Sequence, residues 1–245
     1  MGEAFRLADL EYDVNVGLTL HDAEELIRVA SEKAPVKNKI IDIFAPSYSW
    51  FGRDKIGDVV LASCYGAGGY KVFTTASSRG SELYSIALTF LESGLKPEDV
   101  TFLGTDIDHE AVAQARDGSY EGERFENNHV NHLSTEHRET YFRLEGSRYR
   151  VRDDLKRFVN FERCDVLDSD SLNRVAEDKP YDVVLCRNIL KYFSDEVAQN
   201  IVENLKSVMR PGSRFLMGAS SDEKSLNGFG IDGFKREGDF VYVRE

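Results

Sequence analysis

Short apolar runs and amphipathic stretches alternate along most of this chain, and the two kinds differ in period. Lys71–Thr75, Val100–Gly104, Val159–Arg163, Asp182–Cys186 and Arg214–Met217 are brief and largely apolar or β-branched, which predicts strands. Between them, apolar positions recur at helical spacing. Leu83, Ile86, Ala87, Phe90 and Leu91 form one inward face, stopped by Gly94 and Pro97. Val197, Ile201, Leu205 and Val208 form another, opened by Ser194 as a cap with Asp195 and Glu196 in its first turn, and ended by Pro211-Gly212. A third helix is predicted over His109–Arg116, with Asp108 as its N-cap. Strands alternating with helices predict an α/β fold on a mainly parallel, Rossmann-like sheet.

Three regions break this rhythm. Residues 1–18 have many acids and no period, which predicts a loose arm or a short cap, and Thr19-x-x-Asp22 opens a helix with Leu20, Ala23, Leu26, Ile27 and Ala30 on one face. The expected division is therefore an arm and helix over 1–38 and the main domain over 39–245. Asp117–His137 is polar and without period; Tyr141–Leu144 and Tyr149–Arg152 then flank Glu145-Gly146-Ser147, which predicts a small β insertion at about 138–157. Gly233–Arg236 and Asp239–Arg244 alternate enough for a closing antiparallel hairpin. Gly66–Gly69 precedes a strand and lacks the Lys-Ser/Thr end of a phosphate loop, so a turn is expected there.

Charge narrows the function classes. Lys plus Arg total 31 against 43 Asp plus Glu, a net charge of −12, which argues against a generic nucleic-acid binder. Residues 143–157 still carry five arginines and one lysine, a local basic patch. No run approaches ~18 apolar residues, so no membrane insertion is expected. Cys64, Cys164 and Cys186 are far apart with no CxxC pair, as in a cytoplasmic protein with reduced thiols. His129-x-x-His132 and His137 lack the accompanying cysteines or second spaced pair of a metal site, so no metal is expected.

The candidate chemistry gathers where the predicted strands end. Lys71–Thr75 runs into Thr75-Ala76-Ser77-Ser78-Arg79-Gly80 and then a helix, the strand–turn–helix unit of nucleotide- and nucleoside-binding α/β folds. Asp106, 26 residues after Gly80, stands at the tip of the second strand, where an acid can accept both ribose hydroxyls of an adenosine. Asp165, at the tip of the third strand, can reach an adenine amino group or cap a helix. Asp182–Cys186 breaks into Arg187-Asn188, polar groups at the mouth of the crevice. With one glycine in the turn and acids around it, the site suits a nucleoside with a charged amino-acid tail, S-adenosylmethionine (SAM), better than NAD. The sheet pattern is that of a class I SAM-dependent methyltransferase.

Several segments, in order, resemble the CheR-type methyltransferases, which use SAM to esterify glutamates on bacterial chemotaxis receptors. LCRNILKYF is similar to that family's CRNV-x-IYF, TTASSRGSELYSIAL to ASTGEEPYSIA, GTDIDHEAVAQAR to SDID…LxxAR, RPGSRFLMGASS to KPGGxLFLGxSE and, more loosely, SYSWFGRD to ETFFFRD. The resemblance implies that Gly80 and Glu82 lie along the methionine end of the cofactor, that Asp106 grips its ribose, and that Ser77 and Ile107 also bind the cofactor. It likewise implies Asp165 and Val166 at the adenine and Arg187 and Asn188 beside the cofactor after the fourth strand, with Arg53 and Tyr192 as catalytic residues flanking the methyl-transfer point. It also implies a protein substrate, such as the cytoplasmic helix of a chemoreceptor. Arg79, Ser81, Leu83 and Ser221 depart from the pattern, and one amphipathic helix stands where the family has an N-terminal helical domain. The alternatives are a CheR-like enzyme acting on another acceptor, or a SAM-binding signalling module without transfer activity.

Overall fold

The computed structural model describes residues 5–7, 10–12, 56–121, 135–218, 231–238 and 240–245. Phe5–Leu7 (β1) and Leu10–Tyr12 (β2) pair antiparallel at the N-terminus. Helix Ile56–Ala67 (α1) leads to Lys71–Thr75 (β3), Ser81–Glu92 (α2), Thr101–Asp106 (β4) and His109–Asp117 (α3). An insertion follows: Ser119–Glu121 (β5), Thr135–Tyr141 (α4), Phe142–Glu145 (β6), Arg148–Val151 (β7) and Asp153–Lys156 (α5). The chain then alternates again through Val159–Arg163 (β8), Ser169–Val175 (α6), Tyr181–Cys186 (β9), Asp195–Lys206 (α7) and Met209–Met217 (β10). It closes with Phe234–Gly238 (β11) and Val241–Arg244 (β12).

Seven strands form one sheet in the order β11-β12-β10-β9-β3-β4-β8. The five from β10 to β8 are parallel, and β12 joins β10 antiparallel, with β11 outside it. This is the predicted α/β class I methyltransferase sheet, with its terminal hairpin on one margin. The inner strands are buried on both faces. One face packs α1, α2 and the insertion around Val60, Ile86, Phe90, Phe102 and Phe161; the other packs α6 and α7 around Phe73, Leu172, Tyr181, Ile201 and Phe215.

A buried carboxylate ties the amino ends of the central strands together. Asp182, 4% exposed, accepts from the Lys71 N–H at 2.9 Å and from Arg210 Nη2 at 2.5 Å. A Cβ on Gly69 would sit 2.4 Å from its Oδ2, so the turn before β3 requires glycine at that position.

Several boundaries differ from the sequence expectation. Strand β4 is displaced toward its carboxyl end, so Asp106 is its last residue. Strand β10 begins at Met209 instead of Arg214; Pro211-Gly212 falls in a register shift, where Ser213 Oγ accepts from Arg210 N–H and donates to the Tyr181 carbonyl. Ser194 stands at the N-cap of α7, but its side chain makes no cap bond. Among the described residues the insertion has three strands, β5-β7-β6, because Ser119–Glu121 pairs with β7. Arginines of the expected basic patch bond to the insertion and to the end of α3: Arg148 Nε donates to Ser119 Oγ at 2.7 Å, Arg150 pairs with Asp117 and Glu145, and Arg152 donates to the carbonyls of Phe142 and Glu139. The expected helix after Thr19, and His129, His132 and Ser221, lie outside the described residues.

Candidate functional site

The carboxyl ends of β3, β4 and β9 lie side by side where the strand order changes direction, the place at which open α/β sheets form ligand crevices. Thr75 is in register with Cys186 across one side of β3, and β4 carries Asp106 to the crevice on the other.

The loop from β3 to α2 has an unusual backbone. Ala76 (φ 51°), Ser78 (φ 49°) and Gly80 (φ 82°) are all left-handed. For Ala76 and Ser78 this costs about 1–2 kcal/mol each, so the surroundings must hold the loop in shape. Ser77 N–H donates to the Thr105 carbonyl at 2.8 Å, Gly80 N–H to the Ser77 carbonyl at 2.9 Å, and Ser78 N–H to Asp106 Oδ2 at 2.7 Å. Tyr120 supplies a further hold, its hydroxyl donating to the Arg79 carbonyl at 2.7 Å.

Asp106 is therefore part of the loop's frame as well as a candidate ligand. Its other oxygen accepts from Asp108 N–H at 2.9 Å. A carboxylate has about four acceptor positions, and with the Ile107 N–H also directed at it, about one remains for a ligand hydroxyl. Burial, helped by the Asp108 charge, pushes its carboxyl up to about 6, against the opposing effect of the Asp108, Ser78 and Ile107 N–H groups. Asp108 has the expected capping role, accepting from Glu110 N–H at 2.9 Å.

Helix α2 starts unusually close to the sheet. A Cβ on Gly80 or on Gly104 would each lie 2.6 Å from the Phe161 ring, so both glycines make room for that ring beneath the helix's first turn. The close approach sets the positive end of α2 beside the strand ends. Glu82, in that first turn, forms an ion pair with Arg187, just beyond β9; the two side chains are 23% and 13% exposed. The pair spans the crevice from α2 to β9. Ser77 Oγ is buried and has no hydrogen-bond partner among the described residues.

The remaining candidates surround this centre. Asn188 is left-handed (φ 60°), and Tyr192 ends the short 3-10 turn Leu190–Tyr192, with Lys191 Nζ 5.1 Å from its ring centroid. The Ile107 carbonyl accepts from Arg163 Nε at 3.0 Å. Asp165 does not cap α6; Asp168 does, accepting from Asp170 N–H, while Asp165 accepts from Leu167 N–H at 2.9 Å. Burial raises the Asp165 carboxyl. The neighbouring Val166 carbonyl accepts from Asn204 Nδ2. Arg53 lies outside the described residues.

Sequence reasoning missed three contributors to the site. Phe161 sits mid-strand and reads as core; only the glycine at 104, inside an apolar run, hinted that something presses on β4. Tyr120 falls in a stretch without period. The Glu82–Arg187 pair joins residues 105 apart in sequence, which no local pattern reveals.

A nucleoside bearing an amino-acid tail offers two vicinal hydroxyls, an ammonium and a carboxylate. The crevice has a carboxylate with an acceptor position left, a carboxylate–guanidinium pair of the complementary charges, and the Ser77 hydroxyl, unpartnered among the described residues. The donor set fits such a group.

Residues 53–228 match the CheR methyltransferase SAM-binding domain family. The chain is similar to the chemotaxis protein methyltransferase of Vibrio parahaemolyticus, 37% identical over 164 residues that make up 64% of this chain and 55% of that one. It is also similar to chemotaxis protein methyltransferase 1 of Vibrio cholerae, 32% identical over 234 residues, covering 91% of this chain and 75% of that one. Among solved structures it is similar to a magnesium protoporphyrin IX methyltransferase from Synechocystis PCC 6803 with SAM bound, at 16% identity and a TM-score of 0.45 over 91% of this chain and 98% of that one. With the match running from residue 53 to residue 228, the chain belongs to the CheR methyltransferase family and carries that family's SAM-binding domain.

Proposed function

We propose that the protein binds SAM across the carboxyl ends of β3, β4 and β9 and methylates glutamate carboxylates on a chemotaxis-type receptor or a related signalling protein in the cytoplasm. The observation that carries this reading is Asp106. Its carboxylate is fixed by backbone N–H groups from Ser78 and Asp108, yet keeps an acceptor position beside a loop that ends in Gly80. Asp106 takes the ribose, with Ile107 beside it. Ser77, Gly80, Glu82 and Arg187 take the amino-acid tail, Asn188 lies along the cofactor, and Asp165 and Val166 border the adenine. Tyr192 and, from outside the described residues, Arg53 flank the transfer point.

When bound, the cofactor supplies an electrophilic methyl group on a sulfonium. The protein's own task is modest, because a glutamate carboxylate is already ionised at pH 7 and needs no general base. Positioning and desolvation suffice, and positioning alone can supply roughly 7–11 kcal/mol of a barrier. Among the described residues no helix is long and apolar enough to cross a membrane, which suits a protein substrate met in the aqueous phase.

The test is transfer from methyl-labelled SAM to a receptor cytoplasmic fragment. The expected product is a methyl ester, which alkali releases as methanol, and its formation should stop when the acceptor glutamates are changed to glutamine. Alkali-stable label would mean another class of acceptor. A second reading is favoured by Arg79, which adds a cation to the loop beside a site for cationic groups: a SAM-binding module without transfer. Tight SAM binding with no transfer to any receptor fragment would select it.

A further inference from the structure

The inserted sheet reaches the cofactor loop through one side chain. Tyr120, on β5, is 4% exposed and belongs to the core beneath α2, and its hydroxyl donates to the Arg79 carbonyl at 2.7 Å. That carbonyl shares a rigid peptide plane with the N–H of Gly80, which itself donates to the Ser77 carbonyl at 2.9 Å. The plane is thus pinned at both ends, by the insertion on one side and by the loop on the other. It leads directly into the first turn of α2 and Glu82. Strand β5 is itself held by the insertion, with Tyr120 opposite Tyr149 and Arg148 bonded to the Ser119 hydroxyl and carbonyl.

We infer that Tyr120 is a positioning residue for the cofactor: its hydroxyl fixes the Arg79–Gly80 peptide and so couples the inserted sheet to cofactor affinity. This rests on the cofactor site proposed above. A loop with three left-handed residues in five positions does not keep its shape by local preference. The hold from Tyr120 selects the one orientation of the 79–80 plane that presents the start of α2 to the crevice. Coupling of this kind is reciprocal, so a cofactor that orders the loop also steadies β5, and a partner that steadies β5 tightens cofactor binding by the same factor.

The test uses Tyr120→Phe, which keeps the ring and deletes one hydroxyl, with S-adenosylhomocysteine as the probe. Calorimetry should show the dissociation constant rising about 3–10-fold, the effect of one neutral hydrogen bond. The melting temperature of the ligand-free variant should change by no more than about 2–3 °C. Hydrogen exchange on the unaltered protein should show the ligand slowing exchange at the Ser119–Glu121 amides, an effect that the variant loses. A lower melting temperature with unchanged affinity would assign Tyr120 a purely structural role and overturn the inference. Absence of ligand-dependent protection at β5 in the unaltered protein would overturn it without any variant. If the unaltered protein does not bind the probe at all, the cofactor site itself is wrong.

Discussion

Replacing Asp106 with asparagine should separate folding from cofactor binding. The carboxylate's buried setting raises its pKa from 3.8 to about 6, so the ionised form costs about 3 kcal/mol relative to the neutral one. Asparagine removes that cost. Its single carbonyl can accept only one of the N–H groups of Ser78 and Asp108, now at 2.7 and 2.9 Å, and leaving the other without an acceptor costs about 1–3 kcal/mol. The two effects nearly cancel, so the free variant should melt within a few degrees of the parent.

Binding should not cancel. Hydrogen bonds to a charged acceptor contribute about 1.5–3 kcal/mol each, and the ribose would lose that acceptor. A loss of about 3 kcal/mol corresponds to roughly 100-fold weaker binding of S-adenosylhomocysteine, read by calorimetry. The pH dependence has a definite sign. Hydroxyl donors favour the ionised carboxylate, so affinity should be level above about pH 7 and fall by up to about tenfold per unit below about pH 6. Below that point binding should release a proton. The variant should lack this slope. Equal affinity in the two proteins, the same pH profile in both, or a fall of many degrees in melting temperature would each refute the reasoning.

Other perturbations test neighbouring parts. Arg187→Met should weaken S-adenosylhomocysteine binding about 10-fold or more but leave 5′-methylthioadenosine, which lacks the amino-acid tail, unaffected; equal losses for both ligands would remove the tail assignment. Gly104→Ala should cost about 1–3 kcal/mol in urea unfolding, because its Cβ would meet the Phe161 ring at 2.6 Å, and adding Phe161→Leu should recover part of the loss. Arg210→Ala should cost about 3 kcal/mol by stranding the buried Asp182 carboxylate, and the double variant with Asp182→Asn should be more stable than Arg210→Ala alone.

The elements legible in the sequence are those whose side chains alone decide their state. Lys71–Thr75 and Val159–Arg163 are observed with the predicted ends, since each is a short apolar or alternating run bounded by polar residues. The carboxyl end of β4 was harder to place because Thr105 and Asp106 look like turn residues but pair with Glu162 and Arg163. Helix α1 was not legible. Gly57 and Gly66 lower its propensity, and Gly57 is there because a Cβ would strike Thr89 of α2 at 2.0 Å, a requirement set by packing. Strand β5 was invisible for a related reason: its partners, Arg148–Arg150, come 27 to 31 residues later. In the candidate site, Gly80, Glu82, Asp106 and Arg187 were legible as single residues at strand ends and a helix start. Their mutual contacts were not, because the loop shape that joins them depends on Tyr120 and Phe161.

Among the described residues, the insertion does not have a hydrophobic interior of its own. Tyr120, Phe142, Val151, Leu155 and Phe158 belong to the same cluster as Ile86, Phe90 and Phe102 of α2 and β4. Anyone building a chimera by exchanging residues 119–158 with a relative's segment would therefore be replacing one side of a shared wall. Such a graft would need the matching outer surface of α2 to travel with it, so the insertion is not a detachable cassette.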